Sequence, residues 1–294
     1  MIEVTSRDLG GRNLNRIVKP LAGLLAVCAL LAAPGLFAQS AAEQGLVRRL
    51  MDRSGTSEQL RAAAKSVADG FEQARDSVPE DLRLALGEAA REGFGAEAML
   101  ADVERELPRM LTAGDMQTAI AWLETDVGRR VTRVEEEASR TLDSPQYEAY
   151  LRTLKDKPLA DARVRLLREL LEVTDGVEFA IQLAQATAFG VAFGMNSTLP
   201  RERRIPAQEL RRRVEEAMSR DDLAGTTAQA MLEINAFTYR DANDADLLAY
   251  LAFLKTPAGQ KYVKAFNEVL LTAISAASYR TGSLVEQRTS RTRT

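Results

Sequence analysis

The sequence predicts an all-α protein, because apolar residues recur at helical spacing along most of the chain and no segment alternates apolar and polar residues as a half-buried strand does. Helix-capping residues separate these segments, and one ten-residue pattern occurs twice. We therefore predict two homologous helical repeats that pack as a multi-helix bundle, preceded by a signal peptide. The predicted boundaries are 1–40 for the signal peptide, 45–165 for the first repeat with two bridging helices, 166–280 for the second repeat, and 281–294 for a disordered basic tail.

The repeated pattern is AWLETDVGRR at 121–130 and AFLKTPAGQK at 252–261. Each copy has an aromatic residue, a threonine three positions later and a glycine three positions after that. The motif residues are Trp122, Thr125 and Gly128 in the first copy and Phe253, Thr256, Pro257 and Gly259 in the second. A threonine hydroxyl accepts a hydrogen bond from a free amide in the first turn of a helix, and proline is favoured at the first helical position. The pattern therefore predicts that each threonine caps a new helix.

The offset of 131 residues between the copies also relates Thr112 and Asp115 to Asn243 and Asp246, and both pairs have the spacing of a helix cap followed by an acid. An earlier match, LVRRLMD against LLRELLE, has an offset of 120. The offsets of 131 and 120 differ by 11, so the second repeat is longer by 11 residues, which we place mainly in 195–208.

The motif glycines are unfavourable at these positions, because glycine inside a helix lowers stability by about 1 kcal/mol relative to alanine. We expect the preceding helix to cross closely over Gly128 and Gly259. The alternative is that the two glycines open a ligand cleft.

The pattern of an aromatic residue followed by Ser/Thr-Pro-x-Gly-Gln/Lys resembles the bacterial exported family called domain of unknown function 2059, present here as two tandem repeats. The residues that carry the resemblance are Phe253, Thr256, Pro257, Gly259, Gln260 and Lys261. The first copy departs from it, with Asp126 in place of the proline and Arg129 in place of the glutamine. The resemblance implies an all-helical envelope protein and implies no reaction.

The N-terminus has the order of a secretory signal: a basic leader, thirteen uncharged residues at 21–33, then small residues from Ala38. Thirteen residues are short for a membrane span, which needs about 20. We predict cleavage near Ser40 and a periplasmic or secreted protein. One alternative is an uncleaved N-terminal anchor, and another is a lipoprotein modified at Cys28, although Cys28 lies inside the apolar run after Val27.

Composition excludes several kinds of site. The only cysteine lies in the leader and the chain has no histidine, so the mature protein lacks the usual catalytic triads, thiol chemistry and common zinc ligand sets. We therefore expect no catalytic residue, no metal and no cofactor. Removing the leader's four basic and two acidic residues changes 39 basic against 42 acidic residues into 35 against 40, a net charge of −5. This acidic balance argues against nucleic-acid binding.

Two carboxylate runs, Glu135 to Glu137 and Glu215 to Glu216, are interpreted as solvated helix faces, because adjacent residues on a helix point in different directions. The stretch Asp241 to Leu248 begins like a calcium loop. It fails as one, because Ala245, Asp246 and Ala252 stand where a ligand, a glycine and a bidentate glutamate are needed.

A dense group of arginines is the weak candidate for a binding site, within the extra segment of the second repeat. Its members are Arg201, Arg203, Arg204, Arg211, Arg212 and Arg213. The favoured interpretation is a solvated helix start with salt links to Glu215 and Glu216. The alternative is a surface for anionic lipid head groups or an acidic protein.

The stretch from Phe179 to Met195 has no charge in seventeen residues and predicts a central buried helix. A homodimer interface and a membrane contact are the alternatives. For the whole chain we predict binding without catalysis, with another envelope protein or an anionic membrane surface as partner. The alternatives are a hydrolase whose Asp or Glu residues converge in one pocket from separate helices, and an assembly protein that associates through the Phe179 to Met195 helix.

Overall fold

The computed structural model describes residues 41–73, 80–197, 199 and 201–291, and all regular structure in these ranges is helical. The predicted all-α multi-helix bundle is therefore confirmed, whereas the predicted signal peptide at 1–40 lies outside the described residues. The helices are α1 Ala41–Arg53, α2 Thr56–Gln73, α3 Glu80–Gly93, α4 Ala96–Met110, α5 Ala113–Leu123, α6 Asp126–Thr141, α7 Pro145–Asp156, α8 Asp161–Val173, α9 Gly176–Ser197, α10 Ala207–Ala217, α11 Arg220–Thr238, α12 Asp244–Leu254 and α13 Pro257–Arg291, with a short 3-10 turn at Arg201–Arg203.

The largest hydrophobic core takes side chains from both predicted repeats. Leu50 and Met116 come from the first, and Phe179, Leu254 and Phe266 from the second, and each is at most 1% exposed. Because apolar burial is the main stabilising contribution to folding, each half depends on the other for part of its core. The predicted boundary between residues 165 and 166 also falls within α8.

The apolar helix α9 packs along the long helix α13, as predicted for a central helix. A Cβ placed on Gly190 would lie 2.5 Å from the Oγ and 2.7 Å from the Cβ of Ser278, so the two helices approach closely. Phe179 and Phe189 are each 1% exposed. By length and composition α9 could span a membrane, with a mean hydropathy of 1.2, and half of the apolar window is buried inside the protein. The core helix of a soluble protein has the same properties.

The prediction of a disordered tail at 281–294 is wrong for the described residues, because α13 continues to Arg291. Ala277, Thr281 and Val285 extend the buried face of this helix at four-residue spacing and are at most 1% exposed. Arg288 also donates a 2.7 Å hydrogen bond to Glu92 on α3. The tail is polar overall, but one buried face and acidic residues on a neighbouring helix are enough to order it.

Candidate functional site

The repeated motif builds the same local structure twice. Thr125 and Thr256 each precede a helix, and in each copy the threonine hydroxyl accepts a 3.0 Å hydrogen bond from the motif glycine's amide. The same hydroxyl donates at 2.7 Å to the carbonyl oxygen of the motif aromatic residue. The prediction that both threonines are N-caps is confirmed, and Pro257 is the first residue of its helix.

The close crossing expected at the motif glycines is also confirmed. A Cβ placed on Gly259 would lie 2.1 Å from the carbonyl oxygen of Phe253, and one placed on Gly128 would lie 2.4 Å from that of Trp122. Cβ atoms essentially never come within 3.0 Å of such an atom. The backbone of the preceding helix therefore occupies the space, and no ligand cleft opens there.

The two motif aromatics stack on each other. The ring centroids of Trp122 and Phe253 are 4.4 Å apart with an angle of 8° between the ring planes, and the Tyr250 ring centroid lies 5.2 Å from that of Trp122. Phe253 is 7% exposed. Residues at equivalent positions of the two copies of the motif are thus in direct contact.

Two ion pairs join the first copy to the second, and each copy supplies the cation of one pair and the acid of the other. Arg130 on α6 donates hydrogen bonds of 2.7 and 2.8 Å to Asp246 on α12, and Lys261 on α13 donates one of 3.0 Å to Asp115 on α5. At the offset of 131, Lys261 is the equivalent of Arg130 and Asp246 is the equivalent of Asp115. The hydrogen bonds from Arg130 hold the pKa of Asp246 below its ordinary value.

Both of these acids also complete helix caps. Thr112 accepts a hydrogen bond from the Asp115 amide, and the Asp115 carboxylate accepts one from the Thr112 amide, which makes the predicted capping box. Asn243 accepts a 2.8 Å hydrogen bond from the Asp246 amide. The acidic stretch from Asp241 therefore caps α12. In the described ranges no group of three or more Asp or Glu side chains is placed to hold a metal ion.

Helix ends and turns repeat as well. The C-terminal ends of α1 and α8, at Arg53 and Val173, are 120 residues apart, and the bounds of α5 and α12 are 131 apart at both ends. Among the described residues only Gly55, with φ 71°, and Asp175, with φ 49°, have positive φ, and they too are 120 apart. Gly55 ends the turn between α1 and α2, and Asp175 ends the turn between α8 and α9.

The six arginines of the candidate patch do not act as one basic surface. Arg212 and Arg213 donate hydrogen bonds of 2.8 and 2.7 Å to Glu209, and these bonds lower the pKa of Glu209 to about 2. Arg212 also pairs with Glu216. The predicted salt links thus go to Glu209 and Glu216, and the predicted link to Glu215 is wrong, because the arginine four residues before it, Arg211, lies over an aromatic ring instead.

The remaining arginines of the patch lie in different surroundings. Arg204 pairs with Glu286 near the end of α13 and donates a 2.9 Å hydrogen bond to the Leu199 carbonyl. Arg203 is exposed, and the side chain of Arg201 lies outside the described part of the structure. The patch is therefore dispersed, and only Arg211 remains as a described cation that faces a recess.

Arg211 lies over aromatic rings beside a cleft between α9, α10 and α13. Its guanidinium carbon is 4.3 Å from the ring centroid of Phe189 and 6.0 Å from that of Tyr279. The cleft has a volume of about 190 Å³, and we call it the Arg211 cleft. Its lining includes Gln185, Phe189, Arg211, Val214, Glu215 and Ser275.

A second cleft, of about 310 Å³, lies between α1, α2 and α4 and brings three carboxylates together. Glu104 accepts a 3.2 Å hydrogen bond from Arg48, and Asp52 accepts one of 2.9 Å from Ser57. Glu97 lies 3.8 Å from Arg61. Each of the three carboxylates thus already has a hydrogen-bond or ion-pair partner.

Glu135 does not belong to a solvated face, so that part of the interpretation of the run Glu135 to Glu137 is wrong. Its carboxylate accepts a 2.6 Å hydrogen bond from the Tyr239 hydroxyl and another from Tyr250, and the buried Tyr262 lies nearby. Burial raises the pKa of Glu135 from 4.5 to about 7, although the two hydrogen bonds lower it. The signal available in the sequence is that three of the six tyrosines fall within 239–262.

Comparison of the chain with protein-family models, with curated proteins and with solved structures gave no match. The resemblance to the family domain of unknown function 2059 stays a prediction that rests on the second copy of the motif.

Proposed function

We propose that this protein is an exported, non-catalytic binding protein of the bacterial envelope, built from two tandem helical repeats that pair with each other inside one chain. The pairing is supported by the reciprocal contacts. In a two-fold interface, if residue i contacts residue j of the other unit, then the equivalent of i contacts the equivalent of j. Arg130 with Asp246 and Lys261 with Asp115 follow this rule, and Trp122 stacks on its own equivalent, Phe253, as expected near a two-fold axis.

The observation that carries the binding function is the Arg211 cleft. Arg211 has no carboxylate partner in the described structure, whereas the adjacent Arg212 and Arg213 have theirs. The cation is held over Phe189 and donates a 3.4 Å hydrogen bond to the neutral Tyr279 hydroxyl, so its charge has no counter-ion in the described structure. An arginine on an aromatic ring beside a concave surface is suited to binding an anionic group.

The alternatives have less support. A hydrolase needs carboxylates that are free to exchange protons, but those of the 310 Å³ cleft are bonded to arginine or serine. An assembly protein would need an exposed α9, whereas α9 packs along α13 and buries half of its apolar window inside the protein. An anionic membrane surface needs a field of unpaired cations, and Glu209 neutralises part of the patch.

Export is tested by the intact mass of the protein recovered from the periplasmic fraction of a bacterial host. We expect a mass lower than the 32.3 kDa of the full chain, corresponding to a mature chain that starts near Ala41, because the leader has the order of charge, apolar run and small residues that signal peptidase requires. As a control, Leu25→Arg interrupts the apolar run and should keep the full-length chain inside the cell. Recovery of all 294 residues from the periplasm, or a lipid adduct on Cys28, would contradict the proposal.

A further inference from the structure

The Arg211 cleft presents a positive and a negative side chain that do not pair with each other. Arg211 and Glu215 stand four residues apart on α10, the spacing at which opposite charges ordinarily meet on a helix. Arg212 and Glu216, the next pair at the same spacing, do form an ion pair. No ion pair joins Arg211 and Glu215 in the described structure, because the Arg211 guanidinium is turned onto the Phe189 ring, 4.3 Å away. Both charges thus line the same cleft and remain available to a ligand.

The rest of the lining supplies an apolar wall and neutral polar groups. Phe189, Val214 and Leu271 form the apolar part, and the Ser275 hydroxyl adds a donor or acceptor. Gln185 donates its amide hydrogen to the Met218 carbonyl at 2.8 Å, which fixes its side chain and leaves its amide oxygen as an acceptor. The volume of about 190 Å³ is below the roughly 300 to 1,000 Å³ of pockets for drug-sized ligands. The cleft is therefore suited to a ligand of amino-acid size.

We propose that the Arg211 cleft binds a free α-amino acid with an apolar side chain. The ligand carboxylate pairs with Arg211, its ammonium group pairs with Glu215, and its side chain packs against Val214 and Leu271. The Cβ atoms of helical residues four apart lie about 5–6 Å from each other, so the adjacent carboxylate and ammonium groups of one amino acid can reach both side chains. This inference rests on the proposed binding function and names its ligand class.

The charges that line the cleft favour a zwitterion over an anion. A lipid phosphate or an acidic peptide would bring negative charge next to Glu215, and like charges at close range oppose binding. A simple carboxylate would satisfy Arg211 but leave Glu215 without a partner for its charge. A ligand that carries both charges on neighbouring atoms matches the cleft.

The inference is tested by isothermal titration of the exported, mature chain with three ligands of matched shape. Leucine has both charged groups, 4-methylpentanoate lacks the ammonium group, and 3-methylbutylamine lacks the carboxylate. We expect leucine to bind, and each of the other two ligands to bind at least about tenfold more weakly, because each loses one charge-assisted contact.

Variants assign the roles within the cleft. Arg211→Met keeps an apolar chain over Phe189 and removes the charge, so leucine should bind at least about tenfold more weakly. Glu215→Gln should weaken the binding of leucine, and leucine should then bind no more tightly than 4-methylpentanoate. Arg212→Met is the matched control, because the Arg212 guanidinium is engaged by Glu209 and Glu216, and leucine should bind to it as to the parent. Circular dichroism checks that each variant is folded.

Several results would overturn the inference. Among these are no binding of leucine, equal binding of leucine and 4-methylpentanoate, and unchanged leucine binding in Arg211→Met. The proposed function is tested separately. If a glutamate-rich peptide binds to the parent and leucine does not, the binding function stands and the amino-acid ligand is wrong. If the chain is not exported, the envelope function fails whatever binds in the cleft.

Discussion

Replacing Gly259 with alanine is expected to lower the free energy of unfolding by about 2 to 3 kcal/mol, although alanine is the better helix former. The added Cβ would lie 2.1 Å from the Phe253 carbonyl oxygen and 2.8 Å from the Leu254 Cα. Both are backbone atoms of the preceding helix, so the two helices must separate to admit the methyl group. Gly128→Ala should have the same sign, since its Cβ would lie 2.4 Å from the Trp122 carbonyl oxygen. Urea unfolding followed by far-UV circular dichroism measures the change.

Gly225→Ala is the matched control for these variants. Gly225 lies inside α11, is exposed, and has no atom within 4 Å of the position where its Cβ would be. Only helix propensity acts there, so this substitution should raise the free energy of unfolding by up to about 1 kcal/mol. If Gly259→Ala and Gly128→Ala also raise it, the close crossing of the helices at the motif is wrong.

Glu135→Gln is expected to stabilise the protein at pH 8 by about 2 to 3 kcal/mol and to have little effect at pH 4. Burial among tyrosines raises the pKa of Glu135 from 4.5 to about 7 in the folded protein. Below about pH 4.5 the carboxyl is protonated in both the folded and the unfolded state. As the pH rises from about 4.5 to about 7, the unfolded state ionises first, so the parent loses stability, and the loss is constant above that range.

Glutamine keeps an acceptor for the Tyr239 hydroxyl and carries no charge, so this loss is absent in the variant. The measurement is urea unfolding of parent and variant at pH 4 and pH 8. Glu137→Gln is the control, because Glu137 is exposed on the same helix and its side chain is 54% accessible. Between pH 4 and pH 8 the difference between parent and Glu135→Gln should change by more than the difference between parent and Glu137→Gln. A pH-independent difference for Glu135→Gln would show that its carboxyl is ionised normally in the folded protein.

The sequence was a reliable guide where the structure is decided by neighbouring residues. Thr112, Thr125 and Asn243 cap helices through amides three residues further along, so their spacing was sufficient to predict the helix starts. The cost of glycine in a helix likewise predicted the crossing at Gly259 from the residue type and its neighbours alone.

Sequence reasoning failed where the partner lies far along the chain. Glu135 and Glu137 belong to one acidic run, and only the position of Tyr239, 104 residues away, decides which of them is buried. The Arg211 guanidinium packs on the Phe189 ring and does not pair with Glu215, although Glu215 is the closer residue in sequence. The order of the C-terminal residues follows from the packing of α13 on α3, which composition does not reveal.

The reciprocal pairing of the two units is tested by two double-mutant cycles, one on Arg130 and Asp246 and the other on Lys261 and Asp115, each with Gln or Asn as the neutral replacement. Both cycles should give a favourable coupling free energy. That of Arg130 with Asp246 should be the larger, because Asp246 is 7% exposed and accepts two hydrogen bonds from Arg130, whereas the Lys261 pair has one at 3.0 Å. The cycle on Arg130 and Asp115, which form no ion pair in the described structure, should be additive. Additive behaviour in all three cycles would contradict the pairing of the repeats.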